Sequence, residues 1–509
     1  MRRIRRARSK CCSEHGHPNA LLPFAPDRVR TYPEKEFVPH SGTSFGGHPL
    51  LDCFTTETDG DAIAITPVTK SSLNDWLEKQ PDDLATWVKA AGFTGKPGKS
   101  LLLPPKKDGV PAGALVGVEG DTDIWSWGAA ATELGAGSYT LSDDMNDSAI
   151  DNAALGWALG CYRFRRYKNS DRKLATLALP ASATLPAVTN MAEAIYLARD
   201  LINTPSSDMG PGELAAAANE MAERFDANCT VTVGDDLLRD NYPMIHAVGR
   251  ASVRAPRLID LTWGKPKDPK VTLVGKGVCF DTGGLDLKPS SGMLLMKKDM
   301  GGAAHALALG QLIMANRLNV RLRVLVPAVE NSVSGDSFRP MDVLKTRAGL
   351  SVEIGNTDAE GRLILGDALT EAGAEDPDLI VDFATLTGAA RVALGPDMAM
   401  MFSNDDVLAG AIETAGTHCD DPVWRMPLWQ PYRRYLESQI ADINNAGQSR
   451  FGGAITAALF LKEFVEDATP WAHFDVYGWN PAKRNGRPVG GDVMGVRAVY
   501  AMLAERYAG

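Results

Sequence analysis

The stretch Asn356-Thr357-Asp358-Ala359-Glu360-Gly361-Arg362-Leu363 concentrates two carboxylates and a guanidinium on one short segment. Asp358 and Glu360 are two residues apart, so both side chains would point to the same side of an extended backbone. An apolar run, 363–365, follows them. This pattern indicates a site at the end of a strand, although a lone Asp-x-Glu is also typical of a polar turn between a strand and a helix.

A second group of charged residues lies upstream and favours the site over the turn. Its members are Lys276, Asp281, Lys288 and Asp299. Glycines within 274–284 let the backbone come close to a ligand. Together with Asp358 and Glu360, this group supplies four carboxylates, which would repel one another and raise one another's pKa values if they converged without cations. Divalent metal ions remove that repulsion, because hard and borderline cations accept oxygen ligands.

Histidines are scarce in the chain and absent from both groups. Only eight occur in 509 residues, and the nearest is His305. The sequence therefore argues against a His-rich zinc site and predicts a pair of metal ions bridged by carboxylates. Two such ions can bind a shared water, lower its pKa and hold a carbonyl oxygen, which is hydrolytic chemistry. A lysine beside them can act as an electrophile, or as a ligand once metal binding displaces its proton.

Two other features of the second group have simpler interpretations. Cys279 has no histidine close to it in sequence, so we interpret it as a small core residue. Gly275-Lys276-Gly277 follows a predicted strand, as a dinucleotide-binding turn would, but Phe280 occupies the position of the third glycine. The segment therefore does not predict a nucleotide site.

Composition narrows the class of protein. The chain is 44% hydrophobic and 23% charged, with a formal net charge of −10, which is typical of a globular protein. Its acidity argues against nucleic acid as the main partner. No stretch reaches the roughly 18 apolar residues of a membrane span. Seven cysteines without a repeating spacing favour a reducing compartment, so we expect a cytoplasmic protein with no membrane partner.

The N-terminus is strongly basic. Met1–Lys10 carries six positive charges and no acid, but 11–15 does not continue as the apolar core of a secretory signal. A mitochondrial-type transit peptide and a misassigned start codon stay open as alternatives. We expect residues 1–49 to form a disordered or poorly ordered extension.

The remaining chain divides into two predicted α/β regions, so the predicted fold class is α/β. Residues 50–180 are expected to form a smaller N-terminal α/β domain, and a linker is expected at Lys173–Pro186. Within 186–509, apolar strands alternate with helices, which predicts a catalytic domain with a mainly parallel sheet flanked by helices on both faces. Ligands of such sheets bind at the carboxyl ends of the strands, and both charged groups follow apolar strand runs.

The spacing of apolar residues predicts the individual elements. The expected helices are Leu73–Ala91, Ala149–Tyr167, Thr189–Asn203, Pro211–Arg224, Gly301–Leu318, Leu363–Gly373, Ala454–Val465 and Val489–Arg506. The expected strands are Ala62–Val68, Leu101–Leu103, Ala114–Val118, Val271–Val274, Val320–Val326 and Leu379–Ala384.

Three segments closely resemble the leucyl aminopeptidase (cytosol aminopeptidase) family of dinuclear metallopeptidases, peptidase family M17. They are Val274–Gly284, Lys297–Ala304 and Asn356–Leu365, and Ala384–Ala389 and Trp424–Leu428 support the match. The resemblance covers residues 186–509 well and is weak over 50–180. It implies a metal-dependent aminopeptidase, a hydrolase that releases N-terminal amino acids from peptides.

The resemblance also implies the metal ligands. Two divalent ions, zinc or manganese, would be held by five residues, with two of the carboxylates as bridges. One ion would be bound by Lys276, Asp281, Asp299 and Glu360, and the other by Asp281, Asp358 and Glu360. Lys288 matches the catalytic lysine that stabilises the developing oxyanion. Arg362 matches the catalytic arginine that holds a bicarbonate, the general base towards the attacking water.

Six substrate-binding positions follow in the same way, namely Met296, Thr385, Leu386, Gly388, Tyr477 and Asn480. Leu386 and Gly388 match backbone contacts along the substrate, and the others match the side-chain pocket. Tyr477 and Asn480 depart from the small, apolar run that is usual there. Tyr477 would shrink or reshape the pocket and Asn480 would add polarity, so a preference for leucine does not follow.

The resemblance implies peptide substrates with a free N-terminus and a homohexamer built from two trimers. Two alternatives stay open. The chain could be a DNA-binding accessory protein of the same fold, which only the basic segment Met1–Lys10 favours. It could also be a narrower dipeptidase, such as one that cleaves Cys-Gly, with the same metals and a different pocket.

Overall fold

The computed structural model describes residues 52–55, 62–106, 109–142, 144–168, 173–180, 183–447 and 449–508. The predicted N-terminal extension, 1–49, lies outside these residues. Among the residues described, no helix combines the length and the apolar composition that crossing a membrane demands.

Strands and helices are numbered here along the chain. The strands are β1 Phe54–Thr55, β2 Ile63–Val68, β3 Ser100–Leu102, β4 Ala114–Gly117, β5 Gly137–Leu141, β6 Ala175–Ala178, β7 Asn228–Val233, β8 Arg257–Trp263, β9 Lys270–Gly275, β10 Gly277–Asp281, β11 Arg321–Asn331, β12 Val343–Lys345, β13 Ser351–Glu353, β14 Leu379–Ala384, β15 Ala399–Ser403, β16 Val423–Arg425, β17 Ile443–Asn444, β18 Trp471–Asp475, β19 Trp479–Asn480 and β20 Gly490–Gly491. The helices are α1 Leu73–Glu78, α2 Asp82–Ala90, α3 Trp125–Glu133, α4 Asp147–Cys161, α5 Leu185–Asn203, α6 Pro211–Phe225, α7 Asp236–Arg239, α8 Pro243–Gly249, α9 Ser290–Met293, α10 Gly301–Ala315, α11 Glu360–Gly373, α12 Gly388–Leu394, α13 Asp406–His418, α14 Gly453–Lys462 and α15 Val496–Arg506, with 3₁₀ turns at Met296–Met300 and Gln430–Leu436.

The N-terminal region forms a six-stranded sheet with the order β1-β6-β5-β2-β4-β3. Neighbouring strands are parallel except β3 and β4. Strand β6 lies between β1 and β5, and its residues Ala175 and Leu177 are buried. The predicted linker at Lys173–Pro186 is therefore wrong, because its small and apolar residues form an inner strand of this sheet.

The C-terminal region forms a nine-stranded sheet with the order β16-β15-β18-β14-β9-β11-β8-β7, in which β10 also pairs with β11. Five of its strand pairs are parallel and three are antiparallel. The prediction of a mainly parallel sheet in an α/β fold is confirmed.

Both faces of the large sheet are buried, as its nearly continuous apolar strands require. In β14, Leu379, Val381 and Phe383 pack with α10 in the core on one face, whereas Ile380 and Ala384 pack with α11 on the other. Helix α10 is buried around its whole circumference over 301–314, which is typical of a helix enclosed on all sides. The two cores fix α10 and α11 against the sheet.

Two of the predicted N-terminal helices are corrected by the structure. Leu73–Ala91 is split into α1 and α2 at Pro81, whose extended backbone (φ −54°, ψ 144°) starts the second helix. Ala149–Tyr167 is helical only to Cys161. Beyond it, the Arg163 guanidinium donates hydrogen bonds to the carbonyl oxygens of residues 160 and 162, which satisfies groups that a continuing helix would have used.

Two C-terminal predictions are corrected as well. Helix α15 begins at Val496 and not at residue 489, because Gly495 has a left-handed backbone (φ 77°) and Gly490–Gly491 forms β20. The segment with Asp358 and Glu360 is not an extended strand end. Asp358 lies in a turn and Glu360 is the first residue of α11. The other predicted elements are present, with ends that differ by a few residues.

Gly302 brings α10 close to the carboxyl end of β9. A Cβ atom at this position would lie 2.1 Å from the carbonyl oxygen of Phe383 and 2.8 Å from the backbone nitrogen of Lys276. These are backbone atoms of β14 and of the residue that follows β9, so they cannot move aside independently. The missing side chain therefore sets how closely Asp299, just before α10, approaches Lys276.

We predict that Gly302→Ala destabilises the fold by about 1–3 kcal/mol, the usual cost of overpacking a buried site. Gly410→Ala is the matched control, because a Cβ in the middle of α13 meets no atom within 4 Å. That change should stabilise the protein by about 0.5–1 kcal/mol through helix propensity. Urea unfolding of both variants measures this, and equal stability of the two would contradict the packing argument.

Candidate metal centre and active site

Carboxylates from three separate segments meet beyond the carboxyl end of the large sheet. Asp281 ends β10, Asp299 lies in the 3₁₀ turn before α10, and Asp358 and Glu360 surround the start of α11. One oxygen from each of Asp281, Asp358 and Glu360 lies within 4.8 Å of the others. We call these four residues the carboxylate cluster.

Lys276 occupies the inner side of the carboxylate cluster. Its Nζ lies 2.8 Å from Oδ2 of Asp299 and 3.0 Å from Oε1 of Glu360, and it donates a hydrogen bond to the carbonyl oxygen of Thr385 at 3.1 Å. Only 3% of Lys276 is exposed. Burial opposes its charge, but Asp299 and Glu360 outweigh that effect and raise its pKa.

Lys288 occupies the outer side. Its Nζ lies 2.8 Å from Oδ2 of Asp281 and also contacts Oδ1 of Asp358. Burial opposes the charge here too, and Asp281 more than compensates, so the pKa of Lys288 is raised. Both ammonium groups remain charged and lie between pairs of carboxylates.

Hydrogen bonds from the surrounding loops fix the carboxylate cluster. Asn331, at the end of β11, donates to Oδ1 of Asp281 at 2.8 Å and to the carbonyl oxygen of Thr357 at 3.1 Å. The Thr357 hydroxyl donates to the carbonyl oxygen of Gly283 at 2.6 Å, and its backbone N–H donates to Oδ2 of Asp286 at 2.8 Å. The loop after β10 and the turn before α11 are therefore held together by direct contacts.

Asn445 holds the same turn from the other side. Its Oδ1 accepts hydrogen bonds from the backbone N–H groups of Gly355 and Asn356, and its Nδ2 donates to carbonyl oxygens of Asn356 and Ala359. We did not predict Asn331, Asp286 or Asn445 as site residues. Each is an isolated polar residue outside the two charged groups, so the sequence did not mark it. Only Asn331 could have been found, because it lies at the carboxyl end of a strand.

The charges of the cluster strongly perturb one another. Burial raises the pKa of Glu360 to about 8, and the nearby Asp281 adds to the effect. Burial and the nearby Asp299 raise the pKa of Asp281 to about 6. For Asp299, burial works against ionisation, but Lys276 and Lys298 outweigh it and lower its pKa. The cluster therefore has an excess of negative charge that the two lysines balance only in part.

The residues present fit divalent metal ions. Four buried carboxylate oxygens, Oδ2 of Asp299, Oδ1 of Asp358 and both Oε atoms of Glu360, have no partner among the described residues other than the ammonium groups of Lys276 and Lys288. Buried polar atoms are normally satisfied, so these oxygens are available as ligands. Carboxylate oxygens that converge without histidine or thiolate suit hard or borderline cations.

Arg362 lies on α11 beside the cluster and is 8% exposed. It donates to the carbonyl oxygen of Asn445 at 2.7 Å, while its Nε has no hydrogen-bond partner among the described residues. Burial lowers its pKa to about 10, so the guanidinium stays charged near neutral pH. A buried cation with an unused donor can bind a small anion.

The predicted substrate-binding residues begin at the inner edge of the cluster. The Thr385 hydroxyl donates to Oδ1 of Asp299 at 2.8 Å, and Met296 is partly buried in the same 3₁₀ turn as Asp299. The backbone N–H of Leu386 donates to Oδ1 of Asp475 at 3.0 Å. Gly388 is exposed at the start of α12. Asp475, a residue that we did not predict, thus holds the segment after β14.

The two unusual pocket residues have different surroundings. Tyr477 is partly buried and lies beside basic side chains. Asn480 is fully buried and donates to the carbonyl oxygens of Arg487 and Pro488, both at 2.7 Å, while its Oδ1 accepts from Arg484 at 3.0 Å. Its amide group is hydrogen-bonded within its own loop, and the predicted polar contribution of Asn480 to the pocket stays a prediction.

The interpretation of Cys279 is confirmed. Cys279 is fully buried in the core, as expected of a small core residue. His305 is also fully buried, and its Nδ1 and Nε2 contact the carbonyl oxygen of Gly301 and the backbone nitrogen of Met494. Its ring is engaged by α10 and the chain before α15 and does not take part in the carboxylate cluster.

Comparisons with known proteins agree with this geometry. The model of the cytosol aminopeptidase family, catalytic domain, matches residues 196–500, and that of the M17 aminopeptidase N-terminal domain matches 63–180. A probable cytosol aminopeptidase of Roseiflexus castenholzii is 38% identical over 485 residues, covering 88% of this chain and 99% of the relative.

Solved structures of aminopeptidases and related enzymes have a similar fold. The crystal structure of a cytosol aminopeptidase from Coxiella burnetii has a TM-score of 0.87 and 50% identity, covering 90% of this chain and all of that one. The bottromycin maturation enzyme BotP in complex with Mn has a TM-score of 0.80 and 33% identity, covering 88% of this chain and all of its own.

We predict that Glu360→Gln stabilises the metal-free protein, increasingly so as pH rises. The folded-state pKa of Glu360, about 8, lies above its ordinary 4.5. As pH rises above 4.5, Glu360 ionises more readily in the unfolded chain than in the folded one. The free energy of unfolding therefore falls, by on the order of 2–4 kcal/mol near pH 8. Urea unfolding of metal-free protein at pH 5 and pH 8 measures the difference, with the exposed Glu505→Gln as the control. If the difference in unfolding free energy between Glu360→Gln and the wild type did not depend on pH, the proposed repulsion among the carboxylates would be contradicted.

Proposed function

The chain belongs to the cytosol aminopeptidase family and is a metal-dependent aminopeptidase, and we propose that it works with two divalent cations held by the carboxylate cluster. The observation that carries this proposal is the convergence of four carboxylates whose buried oxygens have no partner among the described residues other than two ammonium groups. Such a group is unstable without positive charge.

Five side chains would hold the two ions. One ion would be bound by Lys276, Asp281, Asp299 and Glu360, and the other by Asp281, Asp358 and Glu360. The contacts of Lys276 with Asp299 and Glu360 support its place on the first ion, and the 4.8 Å grouping supports the second set. When bound, the cations supply the charge that lowers the pKa of a water and polarises the scissile carbonyl.

Lys288 and Arg362 supply the remaining catalytic groups. The side chain of Lys288 is 15% exposed, so its ammonium group can reach a substrate while it contacts Asp281 and Asp358. We propose that it stabilises the oxyanion that develops on the substrate carbonyl. The unused Nε of Arg362 supports a bicarbonate site there, and that anion would accept a proton from the attacking water.

Other parts of the proposal concern the whole protein. The bound metal is proposed to be zinc or manganese, and the manganese complex of BotP supports the second. Domain boundaries at 50–180 and 186–509 are supported by the ranges of the two family models. The names of the relatives support a cytoplasmic location and peptide substrates with a free N-terminus. The homohexamer rests on family resemblance alone, and sedimentation equilibrium tests it.

Neither alternative function is favoured by the comparisons. The relatives are named as cytosol aminopeptidases, not as DNA-binding proteins or dipeptidases. The basic segment Met1–Lys10, which favoured a DNA-binding role, lies outside the described residues.

The proposal predicts strict dependence on metal and on a free α-amine. Enzyme stripped with a chelator should hydrolyse none of a panel of aminoacyl amides, and Zn²⁺, Mn²⁺ or Mg²⁺ should be added back separately to find which ions restore activity. N-acetylated versions of the same substrates should stay intact. Substantial turnover by the metal-free enzyme, or release of N-acetylated residues, would refute the mechanism.

Substitutions of Glu360, a proposed metal ligand, and of Lys288, the proposed oxyanion-stabilising residue, should separate metal binding from turnover. Glu360→Ala is expected to lose metal and activity together, whereas Lys288→Ala should retain metal and lose about 10²–10³ in kcat, as removal of an oxyanion-stabilising group does. Metal content by elemental analysis and kcat are the measurements. Lys267→Ala, on an exposed residue in the turn before β9, is the control. A fully active Lys288→Ala would show that its assigned role is wrong.

A further inference from the structure

Two basic side chains flank the ring of Tyr477. Nζ of Lys298 lies 4.9 Å from the ring centroid, and the guanidinium carbon of Arg391 lies 5.3 Å from it. Cations over an aromatic face are attracted by its quadrupole. We call these three residues the basic wall.

The basic wall adjoins the carboxylate cluster. Lys298 directly precedes Asp299, whose Oδ1 accepts the hydrogen bond of the Thr385 hydroxyl. Gly478, next to Tyr477, also packs on Thr385, because a Cβ on this glycine would lie 3.2 Å from Cγ2 of the threonine. The wall therefore lies on the Thr385 side of the cluster, where the side-chain pocket is predicted.

Lys298 forms no close ion pair with the described residues. It is only 6% exposed, and it forms no ion pair within 4.0 Å with any carboxylate of the described residues. The two carboxylates that act on it from farther away have other partners: Asp299 is paired with Lys276, and Asp475 accepts hydrogen bonds from Leu386 and Thr387. A buried ammonium group without a paired anion is costly. Arg391 is exposed and likewise has no ion pair among the described residues.

We propose that Lys298 and Arg391 bind the side-chain carboxylate of an N-terminal glutamate or aspartate, and that the enzyme thereby prefers peptides with an acidic first residue. A substrate carboxylate would supply the anion that Lys298 lacks, through charge-assisted hydrogen bonds. Tyr477, which replaces the small residue usual at this position, would leave less space for a branched apolar side chain. This inference rests on the proposed function and names its substrate class.

A glutamyl and a glutaminyl substrate, which have nearly the same shape and differ in charge, test the proposal. The metal-loaded enzyme is assayed with the p-nitroanilides of L-glutamate, L-glutamine and L-leucine. We expect kcat/KM for the glutamyl substrate to exceed that for the isosteric glutaminyl substrate at least about tenfold, as for a lost charge-assisted contact. Lys298→Met should remove that difference and leave the other two substrates within about threefold.

Further variants separate specificity from a structural effect. Lys298→Arg retains the charge and should preserve the preference, and Arg391→Gln, on an exposed residue, should reduce it. Lys267→Met is the matched control and should change nothing. Thermal unfolding and metal content confirm that each variant is folded and loaded. The proposal is overturned if the glutaminyl substrate is cleaved as well as the glutamyl one, or if Lys298→Met slows all three substrates equally.

A binding measurement keeps this inference distinct from the proposed function. If no aminoacyl substrate is cleaved with any metal, the proposed function fails, and isothermal titration calorimetry with L-glutamate and L-glutamine then decides the inference. Tighter binding of glutamate by about tenfold or more, lost in Lys298→Met, supports the basic wall as an acidic subsite. Equal binding of both amino acids contradicts it.

Discussion

Like charges held out of water are the constraint on which the rest of this structure depends. Asp281, Asp299 and Glu360 are 2%, 3% and 1% exposed, and each raises the energy of ionising its neighbours. Two ammonium groups, Lys276 and Lys288, lie between them and offset part of that repulsion. Because interactions between charges are strong where water is excluded, small displacements of any of these groups would change the energy of all the others.

The fold supplies the rigidity that such a cluster requires. The large sheet delivers Lys276, Asp281 and Asn331 from the ends of three strands, and Thr385 follows a fourth. Asn331 and Thr357 then join the loop after β10 to the turn before α11 by direct hydrogen bonds. Parallel strands collect their carboxyl ends on one edge of a sheet, so residues distant in sequence meet without a long, flexible connection.

The charged residues that meet in the carboxylate cluster could be predicted from the sequence, but their local geometry could not. Charge spacing identified Asp358 and Glu360 correctly as neighbours, yet the extended conformation assumed for them was wrong, since a turn and a helix start bring them together. Asn331, Asp286 and Asn445 could not be found, because their roles depend on tertiary hydrogen bonds and not on local pattern. For Asn480, which was predicted as a pocket residue, the sequence did not indicate the hydrogen bonds that it forms within its own loop.

Some predicted bounds of helices and strands were wrong for related reasons. Periodicity predicted one helix over 73–91, but Pro81 interrupts it. Strand β6 was predicted as a linker because its small residues give no clear local strand pattern. They form a strand by pairing with β1 and β5, which are distant in sequence.

Anomalous X-ray diffraction from crystals of the manganese-loaded protein tests the central claim most directly. The account predicts two anomalous peaks in each chain, both contacting Glu360 and Asp281. A single peak, or peaks only at the protein surface with the carboxylates still paired to Lys276 and Lys288, would contradict it.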